Sequence, residues 1–230
     1  MSVNQALGAD NSSSRKQQQR SIVTQHKLLD AATEAFSENG FKGTSTREIA
    51  DRAGVHHPLI TYHFKNKELL WRAAVDRIFR EFSRALAKVM NDIPAGEPRR
   101  RAESLVRTYV RYAHQHPALH KIVMQEASYP SERLDWLVER HLRPLFRDSV
   151  TYIEELQRLG IAKPGNPALL YNMIRVSAGG LLALGLEVKG TSNIDFDADG
   201  ALQELSDMII QCFLPRETPR TNGDSRNNAA

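Results

Sequence analysis

The side chains with the most chemistry to offer lie close together. Ser45, Thr46, Arg47, His56, His57, Thr61, Tyr62, His63 and Lys67 all fall within the stretch STREIADRAGVHHPLITYHFKNK. Hydroxyls, imidazoles and cations at this density suit hydrogen bonding to a polyanion, where phosphate contacts set position and base-edge contacts set sequence preference. His56, His57 and Thr61 are the candidates for base edges, with Leu59 suited to a thymine methyl. Tyr62, His63 and Lys67 suit phosphate, as do Ser45 and Thr46 at a helix start whose free N–H groups point at the backbone. Arg47 can reach either phosphate or guanine. Ile60 and Phe64, set among them, are read as packing.

Catalytic chemistry has far less to work with. The chain contains no H-E-x-x-H, no G-x-S-x-G and no phosphate-cradling glycine loop. His114, His116, His120 and His141, with Glu126, are the only cluster of ligand-type side chains, and Pro117 interrupts the helical spacing of His116 and His120. No metal site, catalytic residue or cofactor is expected.

The polar stretch needs helices to hold it. Ser45 and Glu48 have the spacing of a capping box, Ile49, Ala50 and Ala53 supply a buried side, and Gly54 ends the helix at a positive φ. Val55 plugs the angle between helices, Pro58 suits the first turn of the next one, and Asn66 is the N-cap of a third. Two short helices around a glycine-containing turn, over residues 45–53 and 57–64, form a helix-turn-helix, whose second helix enters a DNA major groove. A preceding helix over 21–39, with Ile22, Leu29 and Phe36 at seven-residue spacing and Gly40 closing it, would pack behind the pair.

These residues carry a resemblance. Ala31-Ala32, Phe36, Gly40-Phe41, Thr44-Ser45, Ile49-Ala50, Ala53-Gly54-Val55, Tyr62-His63-Phe64, Lys67-Glu68 and Leu70 together resemble the DNA-binding domain of TetR-type transcriptional regulators. The resemblance covers Ile22 to about Phe82. It implies a DNA-binding repressor that a small molecule releases, and a homodimer held by the last two helices of each subunit. In that family the residue six before the lysine is often a tyrosine that contacts the DNA backbone. Thr61 stands there in this chain and Tyr62 beside it.

The rest of the chain reads as helix. From Asn66 an apolar periodicity runs through Leu70, Ala74, Ile78, Phe82 and Val89 to the break at Ile93-Pro94-Ala95-Gly96. Helices over 98–116 and 117–128 follow, then a long pattern from Ser131 to Leu159 that Pro144 should kink. Asn166-Pro167 opens a further helix, and its nearly unbroken apolar or small run from Ile174 to Leu186 predicts burial on all sides. A last amphipathic helix covers 199–214. Residues 1–20, rich in Ser, Asn and Gln and basic at Arg15, Lys16 and Arg20, are expected to be disordered, as is the tail from Pro215.

The expected protein is therefore all-α. A disordered basic arm (1–20) precedes a three-helix DNA-binding domain (21–82), which a long helix joins to a C-terminal ligand-binding and dimerisation bundle (83–214), with a disordered tail (215–230). Tyr109, Tyr112, His116, Met124, Trp136, His141 and Phe146 combine apolar surface with polar tips and are the candidates for an effector pocket. The partners expected are palindromic double-stranded DNA, an unidentified small molecule and a second copy, which pairs through about 167–188 and 199–214. The composition agrees: 230 residues, 41% hydrophobic and 25% charged, with a net charge of +4 that permits a polyanionic partner. One cysteine, Cys212, allows no internal disulfide, and no apolar run approaches the roughly 20 residues that span a bilayer. A cytoplasmic location is expected. The rival reading is a small-molecule sensor or an enzyme in which the helix-turn-helix is incidental.

Overall fold

The computed structural model describes residues 6–215, and within them every regular element is helical. The expected disorder of the tail beyond Pro215 lies outside the described residues. The chain divides into two compact units: one holds the chain up to Arg84 together with His116–Leu137, and the other holds Ala85–Gln115 and Val138 onward. The segment 116–137, assigned by sequence to the C-terminal bundle, instead packs with the helix-turn-helix.

In the first unit, α1 (Ala6–Gly43) supplies the wall of the core. Leu28, Ala32, Ala35 and Phe36 are wholly buried on one face of it. The helix starts well before Ser21, which corrects the expected disorder of 6–20. Once a helix is nucleated each added residue needs only one further hydrogen bond, and Gln, Lys and Arg are good helix formers. Gly40 leaves helical geometry at φ 68°, ψ 175°, so the chain turns where the sequence placed its stop.

Three short elements follow. Helix α2 (Thr46–Ala53) carries the full capping box: Glu48 N donates to Ser45 Oγ at 3.0 Å, and the Ser45 N–H donates back to the Glu48 carboxylate. It ends at Gly54 with φ 63°, and Val55 N then donates to Ala50 O at 3.0 Å. Helix α3 (Pro58–Phe64) starts with proline in its first turn. Asn66 Oδ1 accepts from Leu69 N at 2.8 Å and so caps α4 (Lys67–Asp92). Ile49, Ala50, Ile60, Phe64, Leu70 and Trp71 bury their side chains in this unit. Helix α6 (Ala118–Ala127) lies against α1, where Gln125 Nε2 donates to Ser37 O at 2.9 Å, and α7 (Glu132–Leu137) completes the unit.

The second unit is organised on α5 (Pro98–Gln115), whose Ala102, Val106, Val110 and Ala113 meet Ile153, Leu156, Leu170, Ile209 and Phe213 in one core. The arginine run at its start is spent on helix ends. Arg101 donates to the carbonyls of Met90 and Ile93 at the end of α4, and Arg99 to those of Leu214 and Pro215. The expected Pro144 irregularity is a π-helical turn over Val138–Leu142 leading into α8 (Arg143–Arg158), with Pro144 in the first turn of α8, where its missing N–H costs little.

The apolar run after α9 (Pro167–Arg175) departs from expectation. A π-helical turn (Val176–Gly180), a short α10 (Leu181–Ala183) and α11 (Gly185–Ser192) follow, with an 80° bend at Leu184. Leu170, Ala178, Gly179 and Leu182 are buried, but Met173 is 54% and Leu186 90% exposed. One side of the run meets its own core, and among the described residues nothing covers the other. Helix α12 (Ala201–Phe213) turns Ile209 and Phe213 inward and leaves Met208 exposed. No single described helix is long and apolar enough to cross a bilayer.

Gly54→Ala should destabilise the fold by about 1 kcal/mol, because a side chain there must hold a left-handed φ. Gly96→Ala, at a position with open space and no positive φ, should stay within about 0.5 kcal/mol in the same urea titration.

Candidate nucleic-acid interface

The exposed row predicted from sequence exists, and the two short helices share it. Arg47 stands exposed in the first turn of α2, and His56, His57, Thr61 and Tyr62 are exposed around α3, with Tyr62 at 75%. His57 immediately precedes α3, and Thr61 lies one turn further on the same face. His57 Nε2 lies 3.0 Å from Thr46 Oγ1, a hydrogen bond that ties the start of α3 to the start of α2. A polyanion approaching this face meets imidazole, hydroxyl, phenol and guanidinium groups on a rigid pair of helices.

Two acidic groups nearby, Glu38 and Glu48, are already paired. Arg52 donates to Glu38 at 2.7 Å and to Glu48 at 2.8 Å, and Asn39 also holds the Glu48 carboxylate. These contacts hold the Arg52 guanidinium even more firmly protonated, the Glu38 hydrogen bond most of all.

Three predicted residues sit differently from the rest. Ser45 Oγ is occupied by its cap. His63 is half-buried, edge-on to Tyr62 at 5.0 Å between ring centroids, and burial pushes its imidazole below the ordinary 6.5. Lys67, expected on phosphate, turns inward: its ammonium donates to Thr44 O at 2.8 Å and stands 4.4 Å from the Phe41 ring centroid. Burial, with the Arg133 guanidinium next in weight, lowers its pKa. Lys65, exposed at φ 66° between α3 and α4, is a cation the sequence reading passed over.

The seven pocket candidates divide between the units. His116, Met124 and Trp136 belong to the first, where Trp136 packs against Trp71 at 5.5 Å and lies under Arg72 at 5.2 Å. Tyr109, Tyr112, His141 and Phe146 belong to the second. There the Tyr109 hydroxyl donates to Arg175 O at 3.3 Å, and burial, reinforced by Tyr171, raises its pKa far above that of a free phenol. Phe146 meets Tyr171 edge-on at 5.3 Å. Tyr171 and Arg175 were not singled out in the sequence, and helical spacing alone carries no signal for them. Among the described residues no three or more His, Cys, Asp or Glu side chains come together as metal ligands would.

Among the described residues every regular element is helical, and the first unit presents a capped helix-turn-helix with a polar outer face. Residues 28–74 match the model of a family described as "Bacterial regulatory proteins, tetR family". The chain is 29% identical over 121 residues to the "Probable HTH-type transcriptional regulator YttP" of Bacillus subtilis, covering 53% of this chain and 58% of that protein. It is 28% identical over 145 residues to the "HTH-type transcriptional repressor NicS" of Pseudomonas putida, covering 63% and 66%. The match thus spans under two thirds of the length of either relative. A structure of AibR in complex with isovaleryl coenzyme A and operator DNA shares the fold at a TM-score of 0.68, with 17% identity over 84% of this chain and 98% of that one. A TetR-like transcriptional regulator from Rhodococcus sp. RHA1 does so at 0.61, with 20% identity over 82% and 94%. Residues 28–74 thus carry the helix-turn-helix domain of the tetR family.

A depressed His63 pKa has a definite sign. The unfolded chain takes up the proton near 6.5 and the folded one only at lower pH, so this contribution to stability is complete above 6.5 and is lost as pH falls below it. Stability measured by urea should therefore drop less between pH 7.5 and 5.5 in His63→Gln than in the parent; equal drops would show that burial does not govern this imidazole.

Proposed function

We propose that the protein is a sequence-specific DNA-binding transcriptional regulator: a repressor that binds a palindromic operator as a homodimer and leaves it when a small molecule occupies the second unit. The observation that carries this reading is the exposed row of Arg47, His56, His57, Thr61 and Tyr62 on a fully capped helix pair. His56, His57 and Thr61 are placed to meet base edges, Arg47 to meet guanine or phosphate, and Tyr62 to meet phosphate. Ser45 and Thr46 stand at the N-terminus of α2, where the helix dipole favours a phosphate.

The second copy is proposed to cover the face that the chain leaves bare. Leu169, Met173, Val176 and Leu186, with Met208 on α12, expose large apolar side chains along the two elements expected to pair. A two-fold axis there gives two readers and a pseudo-palindromic site. Helix α4 is unbroken from Lys67 to Asp92, so a ligand-favoured conformation of the bundle can bias the spacing of the readers. Release is then a population shift toward a spacing that no longer matches both half-sites.

Selection of duplexes from a random pool by the purified protein should enrich an inverted repeat, bound with strong salt dependence. Arg47→Ala should weaken binding to it by about 1–3 kcal/mol if Arg47 reads guanine, and relax preference at one position of each half-site. Light scattering should give twice the 25.9 kDa chain mass, and Leu186→Glu should give a monomer. Enrichment of no repeat at all would refute the regulator reading, and a monomeric parent would refute the interface.

A further inference from the structure

The first unit contains a cluster that the DNA-reading face does not use. The Phe41 ring, just past the kink at Gly40, has two cations over it: Lys67 Nζ at 4.4 Å and the Arg133 guanidinium carbon at 4.0 Å from the centroid. Phe36 stacks on the same ring at 5.9 Å and Trp71 meets it edge-on at 6.3 Å. Arg133 Nε donates at 3.1 Å to Glu126, whose carboxylate is 7% exposed, so the guanidinium is charge-balanced where it stands. Lys67 completes the chain of contacts by donating to Thr44 O, in the residue just before the Ser45 cap of α2.

Two like charges share one ring here, which is unfavourable unless each has a further partner. Arg133 has Glu126 and Lys67 has the Thr44 carbonyl, and both partners are fixed by the fold. The ring therefore sits where α1 ends and α2 begins, held from α7 on one side and α4 on the other. Gln125, the residue before Glu126, donates to Ser37 O near the end of α1. Two contacts from the segment 118–137, Arg133 over Phe41 and Gln125 to Ser37 O, thus converge on the short stretch that precedes α2.

We propose that Arg133 is a positioning residue for DNA binding: through Phe41 and Lys67 it fixes the Thr44–Ser45 start of α2, and Lys67 acts inside this cluster and not on phosphate. The inference rests on the reading of α2 and α3 as the DNA-contacting pair. It assigns a role in DNA binding to a residue of α7, outside the helix pair and far along the chain from it. It also makes segment 118–137 part of the reading device.

The test uses the full chain and a duplex enriched from a random pool by the parent protein, with affinity measured across a range of salt concentrations. Circular dichroism and urea titration confirm that each variant is folded under the binding conditions. Arg133→Met and Lys67→Met should each lose about ten-fold in affinity, the scale of a desolvated cation–π contact, with the slope of log K against log salt unchanged because no phosphate contact is removed. Arg133→Lys keeps a cation near Phe41 and should recover part of the loss. It also stands in for Arg133→Met should that variant fail to fold, with the same unchanged slope expected. A Lys67→Met slope lower by about one would make Lys67 a phosphate ligand and overturn the proposal. Parental affinity in folded Arg133→Met or, in its place, Arg133→Lys would do the same. If the parent enriches no duplex, the DNA-binding reading itself fails; enrichment with variants behaving as the parent defeats this inference alone.

Discussion

Thr44 is the point on which the first unit turns. Its side chain is 2% exposed, and its hydroxyl shares a hydrogen between Ala35 O at 2.9 Å and Gly40 O at 2.8 Å. Those carbonyls lie at and just before the break at Gly40 near the end of α1. A buried hydroxyl or carbonyl without a partner costs on the order of 1–3 kcal/mol, so the turn has few ways to close. Gly40 permits the reversal, Thr44 satisfies the carbonyls it exposes, and Lys67 takes Thr44's own carbonyl. The Ser45 cap then starts α2 in one direction only, and the hydrogen bond between His57 and Thr46 carries that direction into α3.

Much of this unit was legible in the sequence because its signals are local. A capping box, a left-handed glycine, a proline in a first turn and an asparagine cap each declare themselves within a few residues, and all four stand where they were read. What was not legible is long-range. Nothing near Arg133 indicates that it lies over Phe41, and Lys67 looks like any cation at a helix start until the Thr44 carbonyl is seen to claim it. The extension of α1 through polar residues before Ser21 was missed for another reason: low hydrophobicity was read as disorder, although continuing an established helix requires little burial.

The second unit shows the limit of reading burial from composition. The run from Ile174 to Leu186 is apolar on every side, which a sequence cannot distinguish from a fully buried helix. In the structure it is bent by 80° and buries only part of its surface against the α5 core. The exposed remainder includes Leu169, Met173, Val176 and Leu186, large apolar side chains on consecutive helical segments. The same feature that misled the prediction of burial supports the proposed pairing of two copies. The pocket candidates fared less uniformly: aromatic residues at helical spacing serve both units, and their type alone does not say which.

The central proposal is that the helix pair α2 and α3 reads DNA while the cluster around Phe41, Lys67 included, holds it in place. Hydrogen–deuterium exchange of the full chain, with and without a duplex enriched by the protein from a random pool, tests this most directly. The largest DNA-dependent protection is expected in peptides covering residues 45–67. Unchanged exchange across that stretch, with a saturating duplex bound elsewhere on the chain, would contradict it.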